Sequence, residues 1–370
     1  MKLQLKNTPE QVELVKAMGS KNQVVAREAQ EAFAAFLGPV IQQVLNQAGT
    51  APLIYTDAPF DEDDSPSYPL DLYYQEAENT VTVWSQALPG GLPSSHVEGM
   101  REMKIATYRL DSAVSLLKRY ARRARLDVVS KALERMSQEV LVKQERNAWA
   151  VILKALGEAS TGGTKHTIAA TTENVFQLDD MNRLMTLNRR LNESFANGTP
   201  DAAYSNGVTD LYVSPEVVEQ IRAFAYQPMN TRHGYAATDT GGTSVPLPDS
   251  VREGVYRNAG MQEIYGVGIT ELNELGISKK YNTLFGEFAS GNIAPDGSTF
   301  ATANEELLIG VDNSKGAFLR PVATIAESGG TFTAAADDQW TQRSEKIGWY
   351  GFLEEGRVCI DARAIVGIVI

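Results

Sequence analysis

The chain has 370 residues, of which 43% are hydrophobic and 22% charged, an ordinary globular make-up with room for more than one domain. Its net charge of -12 disfavours general attraction to nucleic acid or anionic membranes and excludes a strongly basic DNA-coating protein, although a local basic patch can still act against that background. The single cysteine, Cys359, excludes an internal disulfide framework and lies in an apolar β-like run, which points to a buried, inert thiol.

Met1 to Gln11 is charged and lacks an apolar signal core, and the apolar end Ala364 to Ile370 is far short of a span. Neither export nor a membrane is expected, and synthesis is expected in a reducing cytoplasm. Thr8 and Pro9 read as N-cap and first position of a helix through Val12, Val15 and Met18, stopped by Gly19. A second helix begins near Asn22, with Val25, Ala29, Ala32, Phe33 and Phe36 on its apolar face, and Gly38-Pro39 should break or kink it. These first 50 residues are too poor in apolar positions for a core of their own and read as an arm lying on something else.

Ala51 to Met100 contains nine Asp or Glu and no Lys or Arg. Asp61, Glu62, Asp63 and Asp64 form its sharpest part. They lack the alternating ligand spacing and central glycine of a calcium loop, so a solvated acidic loop is the expectation and no metal is assigned. Thr80 to Ser85, with Val81, Val83 and Trp84, alternates as a strand. Pro89 to Pro93 is a loop, and Met103 to Leu110 reads as the returning strand. A long hairpin of this kind is marginal alone and needs a partner surface.

The charge then inverts. Arg101 to Arg125 carries eight Lys or Arg against Glu102 and Asp111, densest at Lys118, Arg119, Arg122, Arg123 and Arg125. A solvated helix face, a nucleic-acid contact with Tyr120 interleaved, and an ion-pair partner for the acidic loop all compete, and the juxtaposition favours the third. The basic run opens the central element, a helix predicted over Leu117 to Glu158, with Val129, Leu133, Met136, Val140, Trp149, Ile152, Leu153 and Leu156 at helical spacing. Such a helix is roughly 60 Å long and suits a spine onto which other segments dock.

Ser160 to Thr172 reads as a small-residue linker. It holds a phosphate-loop near miss, Gly157 and Gly162, with Gly163 where the lysine is required. A helix capped by Asp179 follows, with Met181, Leu184, Met185 and Leu191 on one face. Leu211-Tyr212-Val213 then reads as a strand, and Ser214-Pro215-Glu216 opens another helix. Tyr226 to Asp249 is a long loop rich in Gly, Thr and Pro, and Gly266-Val267-Gly268 is a turn or strand irregularity. In the β-rich last third, Leu307–Val311 and Ala317–Val322 read as strands paired around the turn Asp312 to Gly316. Gly348–Leu353 and Arg357–Ile360 read as a second hairpin, and Ala364–Ile370 as a final strand.

Catalytic constellations are poor. His96, His166 and His233 fall in loops, none at metal-ligand spacing with another His or Cys, and no carboxylate pair stands out. No catalytic, metal or cofactor site is assigned.

The order of these parts resembles the major capsid protein of tailed bacteriophages, as do Leu211 to Glu216 and the ending Lys346 to Gly367. The resemblance implies an α+β shell fold: an N-terminal arm (1–50), an extended β-hairpin loop (51–116), a peripheral domain with the spine helix (117–172), an axial α/β domain (173–306), a peripheral β-segment (307–360) and a return strand to the axial sheet (361–370). It further implies a non-enzymatic protein that self-assembles into hexamers and pentamers of an icosahedral head, located in the virion and assembled in the host cytoplasm. Double-stranded DNA would be packaged without sequence specificity, and portal and decoration proteins would be partners. With about 50 residues before the extended loop, a separate scaffolding protein is expected; with no lysine in Ala51 to Met100, lysine cross-linking is not. Candidate intersubunit contacts are Asp61 to Asp64, Val81, Val83, Trp84 and the basic run. The rival readings are an encapsulin-like nanocompartment shell, told apart by its cargo, and a cytosolic α/β enzyme, told apart by activity as a monomer.

Overall fold

A computed structural model describes residues 8–61, 64–69, 102–123, 125–161, 165–191, 207–223, 263–289, 299–324, 331–337 and 345–370. The first helix, α1 (Pro9–Met18), starts on extended Thr8 with Pro9 in the first turn and ends at Gly19, as its sequence dictates. Asn22 opens α2 (Gln23–Gln47), its Oδ1 accepting the Val24 N–H at 3.2 Å. The expected break at Gly38-Pro39 does not occur, and the helix runs on through both residues. Ala29, Phe33, Leu37 and Ile41 are buried in one core on either side of the proline, and that shared burial offsets the amide hydrogen bond it removes.

After α3 (Ala51–Ile54) come β1 (Thr56–Asp61), β2 (Ser67–Pro69), β3 (Glu102–Lys104) and β4 (Tyr108–Leu117). The strand expected over Met103 to Leu110 is therefore two, separated by Ile105 to Thr107. The spine also starts later than its periodicity suggested. Leu116 and Leu117 are claimed by β4, where they pair with Ile347 and Lys346. Lys118–Arg122 forms a separate short helix, α4, and the spine proper is α5 (Leu126–Thr161), 36 residues and about 54 Å long.

The expected linker after the spine contains a strand, β5 (Thr167–Ala169), followed by α6 (Leu178–Leu191), β6 (Asp210–Val213) and α7 (Pro215–Ala223). Asp179, expected as the cap of α6, lies inside its first turn, and from the same turn buried Asp180 reaches back to accept the Thr171 N–H at 2.8 Å and the Gln177 N–H at 3.1 Å. Strand, cap and helix at Val213-Ser214-Pro215 stand as expected, with Ser214 Oγ accepting the Val217 N–H at 3.1 Å. A hairpin of β7 (Glu263–Ile264) and β8 (Val267–Glu271) turns on Tyr265 (φ 53°) and Gly266 (φ 79°), which accounts for that glycine. Then come α8 (Lys280–Phe288), β9 (Leu307–Val311), β10 (Phe318–Thr324), β11 (Thr333–Asp337), β12 (Lys346–Glu355), β13 (Val358–Cys359) and β14 (Ile365–Val369). Gly157, from the phosphate-loop near miss, lies inside α5, where a Cβ would come within 3.1 Å of the Phe288–Ala289 backbone.

Both hairpins expected in the last third are absent. β9 and β10 belong to different sheets, and β13 pairs with β10 instead of β12. The Asp312 to Gly316 turn is real, but it is a 3-10 turn with Gly316 left-handed (φ 56°), and it redirects the chain where a hairpin would fold it back.

The chain forms two compact units. The first comprises Met1–Leu72, Glu98–Trp149 and Phe318–Val358. Its six-stranded sheet runs β1-β10-β12-β11, with β4 on the other edge of β12 and β13 on β10. One face of β12 (Ile347, Trp349, Gly351, Leu353, Glu355) is buried with Leu133, Met136 and Val140 of the spine and with Val15, Met18, Phe33 and Leu37. The N-terminal helices thus lie on the sheet and spine of their own chain. Gly351 is required there, because a Cβ would meet Phe332 at 2.3 Å and Met136 at 2.7 Å.

The second unit comprises Tyr73–Val97, Ala150–Ala317 and Cys359–Ile370. Its six-stranded sheet is ordered β5-β14-β9-β6-β8-β7, with apolar β14 inside it. Leu308, Val366, Ile368, Leu211 and Val213 pack with Met181, Leu184, Val217 and Ile221 of α6 and α7. On the opposite face, Gly367 admits Leu156, 3.0 Å from where a Cβ would stand. Leu307–Val311, placed by sequence with the following β-segment, belongs to this sheet, and the division falls between Ala317 and Phe318. His166, expected as an exposed loop residue, is buried with Nδ1 3.0 Å from the Ile365 carbonyl. Cys359 is a half-buried strand residue whose thiol burial pushes up to about 12, so an inert thiol is what the fold produces.

Candidate functional site

A run of exposed arginines lies where the sheet of the first unit hands over to the spine. Because β4 ends at Leu117, the basic residues fall on one short helix and the turn after it. Arg119, Arg122, Arg123 and Arg125 are exposed there, whereas Lys118 is buried and donates its backbone N–H to the Glu345 carbonyl at 2.8 Å. Arg119 lies over the Tyr120 ring at 5.0 Å, which occupies the aromatic that suggested a nucleic-acid contact. Arg122 Nε donates to the Gly19 carbonyl at 2.8 Å, satisfying the end of α1 with a cation. Arg119, Arg123 and Arg125 therefore carry most of the presented charge.

Asp61 ends β1 and Asp64 follows it, both exposed, with the Asp64 N–H donated to the Asp61 carbonyl at 2.9 Å. Glu62, Asp63, Val81, Val83 and Trp84 lie outside the described residues. Among the described residues no ion pair joins Asp61 or Asp64 to Arg119, Arg122, Arg123 or Arg125. The base of the excursion is β2 paired antiparallel with β3, Tyr68 opposite Met103.

The other face of the first sheet carries the exposed Tyr350 and the half-buried Phe352. Tyr350 and Phe352 stack at 6.3 Å on it, the Arg109 guanidinium lies 3.9 Å above Phe352, and Ala113, Ala335 and Thr333 stand beside the rings in register.

Inside the same unit is a charge centre that sequence reasoning missed. Glu355, fully buried, accepts from Arg320 Nε (2.8 Å), Arg357 Nη2 (3.3 Å), Gln144 Nε2 (3.1 Å) and Tyr108 OH (2.9 Å). Burial and the Glu355 charge push the Tyr108 phenol up to about 12. Arg357 also lies over the Tyr55 ring at 4.6 Å, and Tyr55 OH donates to the Ala148 carbonyl at 2.9 Å. One turn earlier on the spine, Glu145 accepts the Thr50 N–H at 2.8 Å and both the Thr50 hydroxyl and Trp149 Nε1, capping α3 from 95 residues away. The signal was available: the alternation Ile347, Trp349, Leu353 places Glu355 on the covered face. These groups bind the strands to the spine, with Arg357 Nε the one buried nitrogen among them that has no hydrogen-bond partner. Among the described residues no cluster of three or more His, Cys, Asp or Glu could hold a metal, and no helix is long and apolar enough to cross a membrane.

No family model and no curated protein matches the chain by sequence. Solved structures do match by fold. The capsid of the cyanophage P-SCSP1u superposes with a TM-score of 0.50 at 12% identity, covering 85% of this chain and 86% of that one. The capsid of the native GTA particle superposes with a TM-score of 0.51 at 9% identity, covering 87% and 91%. A two-unit α+β chain with a long spine helix and a closing strand in the second sheet has the fold of tailed-phage capsid proteins.

Proposed function

We propose that this chain is the major capsid protein of a tailed-phage-type particle, self-assembling into the hexamers and pentamers of an icosahedral shell around double-stranded DNA. The observation that carries the reading is the fold match over 85% or more of both chains to proteins whose structures are capsids. The chemistry is consistent with it, since the buried charge network serves packing, and the exposed arginines and the aromatic outer face of the first sheet are surfaces suited to contacts with neighbouring copies. The first unit takes the peripheral role and the second the axial role around the capsomer axis. The exposed arginines of α4 and the acidic end of β1 meet on neighbouring subunits, together with Glu62, Asp63, Val81, Val83 and Trp84 of the excursion. A separate scaffolding protein, a portal and a decoration protein complete the head, which assembles in the host cytoplasm, and the role is structural and not enzymatic.

Sedimentation of the purified chain, expressed alone and with its scaffolding partner, tests this. The expected result is a megadalton particle that protects DNA from nuclease after packaging. Particles that enclose protein cargo and never DNA would assign a nanocompartment shell, and an active monomer that forms no particle would remove the proposal.

A further inference from the structure

In the second unit, β6 passes into α7 through Ser214-Pro215-Glu216, and β9 is preceded by Glu305-Glu306. Glu306 is 6% exposed and its backbone is fixed on both sides by Ile370, which donates to and accepts from it at 2.8 and 3.0 Å. One carboxylate oxygen is served by Ser214, whereas Oε1 is buried with no hydrogen-bond donor. Leaving a buried carboxylate oxygen without a partner is costly, so something is expected to occupy its lone pairs.

The space that Oε1 faces lies over Gly276, at φ 133°, which only glycine adopts readily. A Cβ on Gly276 would stand 3.7 Å from Glu306 Oε1 and 3.4 Å from Glu216 Oε2. Two carboxylate oxygens from separate elements thus converge on one point that a side chain would have filled. Glu216 is exposed, whereas Gly276 beneath the two carboxylates is buried. Lys279 approaches with its Cγ, yet among the described residues neither carboxylate makes an ion pair. Burial, together with the Glu216 charge, raises the Glu306 pKa above the usual carboxylate range, the signature of a negative charge that lacks compensation.

We propose that Glu306 and Glu216 hold a hard divalent cation of the Mg2+ class over Gly276, with waters completing its shell. Mg2+ suits the donor set, because it is commonly held by one or two carboxylates and retains several waters, whereas Ca2+ asks for six to eight oxygen ligands. The cation ties the start of α7 to the strand entering β9 and to the Gly276 turn, stabilising the second unit locally.

The test is calorimetric titration of Mg2+ into the full chain stripped with a chelator, alongside thermal unfolding with and without the metal. Expected are one Mg2+ bound per chain, a raised melting midpoint that weakens as pH falls and protons compete, and loss of both effects in Glu306→Gln and Glu216→Gln. Glu219→Gln, an exposed carboxylate one turn along α7, should keep them. Glutamine preserves shape and hydrogen bonding, so folded variants can be compared directly, and circular dichroism checks that they are. A wild-type chain that binds no Mg2+, or a Glu306→Gln variant that responds as the wild type does, overturns the site. If Mg2+ has no effect and Glu306→Gln instead flattens the change in melting between acid and neutral pH, the pair shares a proton and no metal.

Discussion

In the second unit β9 and β14 are buried residue for residue, while in the first β4 and β12 alternate between a more buried and a more exposed face. The second sheet is sandwiched, with α6 and α7 on one side and the end of the spine on the other, so its strands read as unbroken apolar runs. Among the described residues the first sheet has a buried core on one side, and that side includes a buried ionic centre at Glu355. A sheet closed on both faces is complete within one chain. We propose that the first sheet, with exposed arginines at its corner and stacked aromatics on its other side, is completed by neighbouring copies.

The sharpest way to break this contrast is to delete residues 1–49. Val15, Met18, Phe33, Leu37 and Ile41 are core residues of the first unit, and burial of each is worth about 1.5–3 kcal/mol, together comparable to the whole stability of a typical domain. Hydrogen exchange should show β4 and β12 losing protection while β9 and β14 keep theirs. Retained protection in β12 would make the N-terminal helices a dispensable arm.

Glu355→Gln comes next. It leaves Arg357 buried without its counter-charge and Arg320 with only the more exposed Asp57 at 3.3 Å, an expected loss of about 3–5 kcal/mol seen as a lower denaturant midpoint for the first unit only. Leu308→Ala should cost about 2–5 kcal/mol and act on the second unit alone. The pH counterpart concerns Tyr108. Its pKa is raised in the folded state, so its contribution is present in full below pH 10 and is lost as pH rises through about 12, which a Tyr108→Phe variant should no longer show.

The smallest effects belong to the surface. Reversing Arg119 and Arg123 to Glu should leave the melting of the isolated chain within about 0.5 kcal/mol, since each exposed pair is worth only about 0.2–1 kcal/mol, yet lower particle yield in a salt-dependent way. Reversing Asp61 and Asp64 to Lys in the same chain should restore part of that yield. If it restores none, and intact shells instead package less DNA, the basic run faces the genome.

What the sequence disclosed follows the same division. Local signals were reliable: Thr8-Pro9, Ser214-Pro215 and the run Ile365 to Val369 each specify their element through short-range chemistry. Pairing was not legible, because β9 to β10 and β12 to β13 look like hairpins by proximity, while their real partners, β14 and β1, lie far away in the chain. Helical periodicity carried the spine too far toward its N-terminus, since Leu116 and Leu117 fit either pattern and only the β12 register decides between them. The basic run and Asp61 were named from charge alone; Asp61 and the four arginines are exposed while Lys118 is buried, whereas Glu355, Arg320 and Arg357 come from distant segments and are joined only by the fold.

The proposed role of this chain is that of a shell subunit. Electron cryomicroscopy of the purified full-length protein, assembled with its scaffolding partner, tests it most directly. The account predicts closed icosahedral particles with rings of five and six subunits, in which α4 and the aromatic outer face of the first sheet lie against neighbouring copies. A protein that stays monomeric under all assembly conditions, or particles in which those surfaces touch nothing, would contradict it.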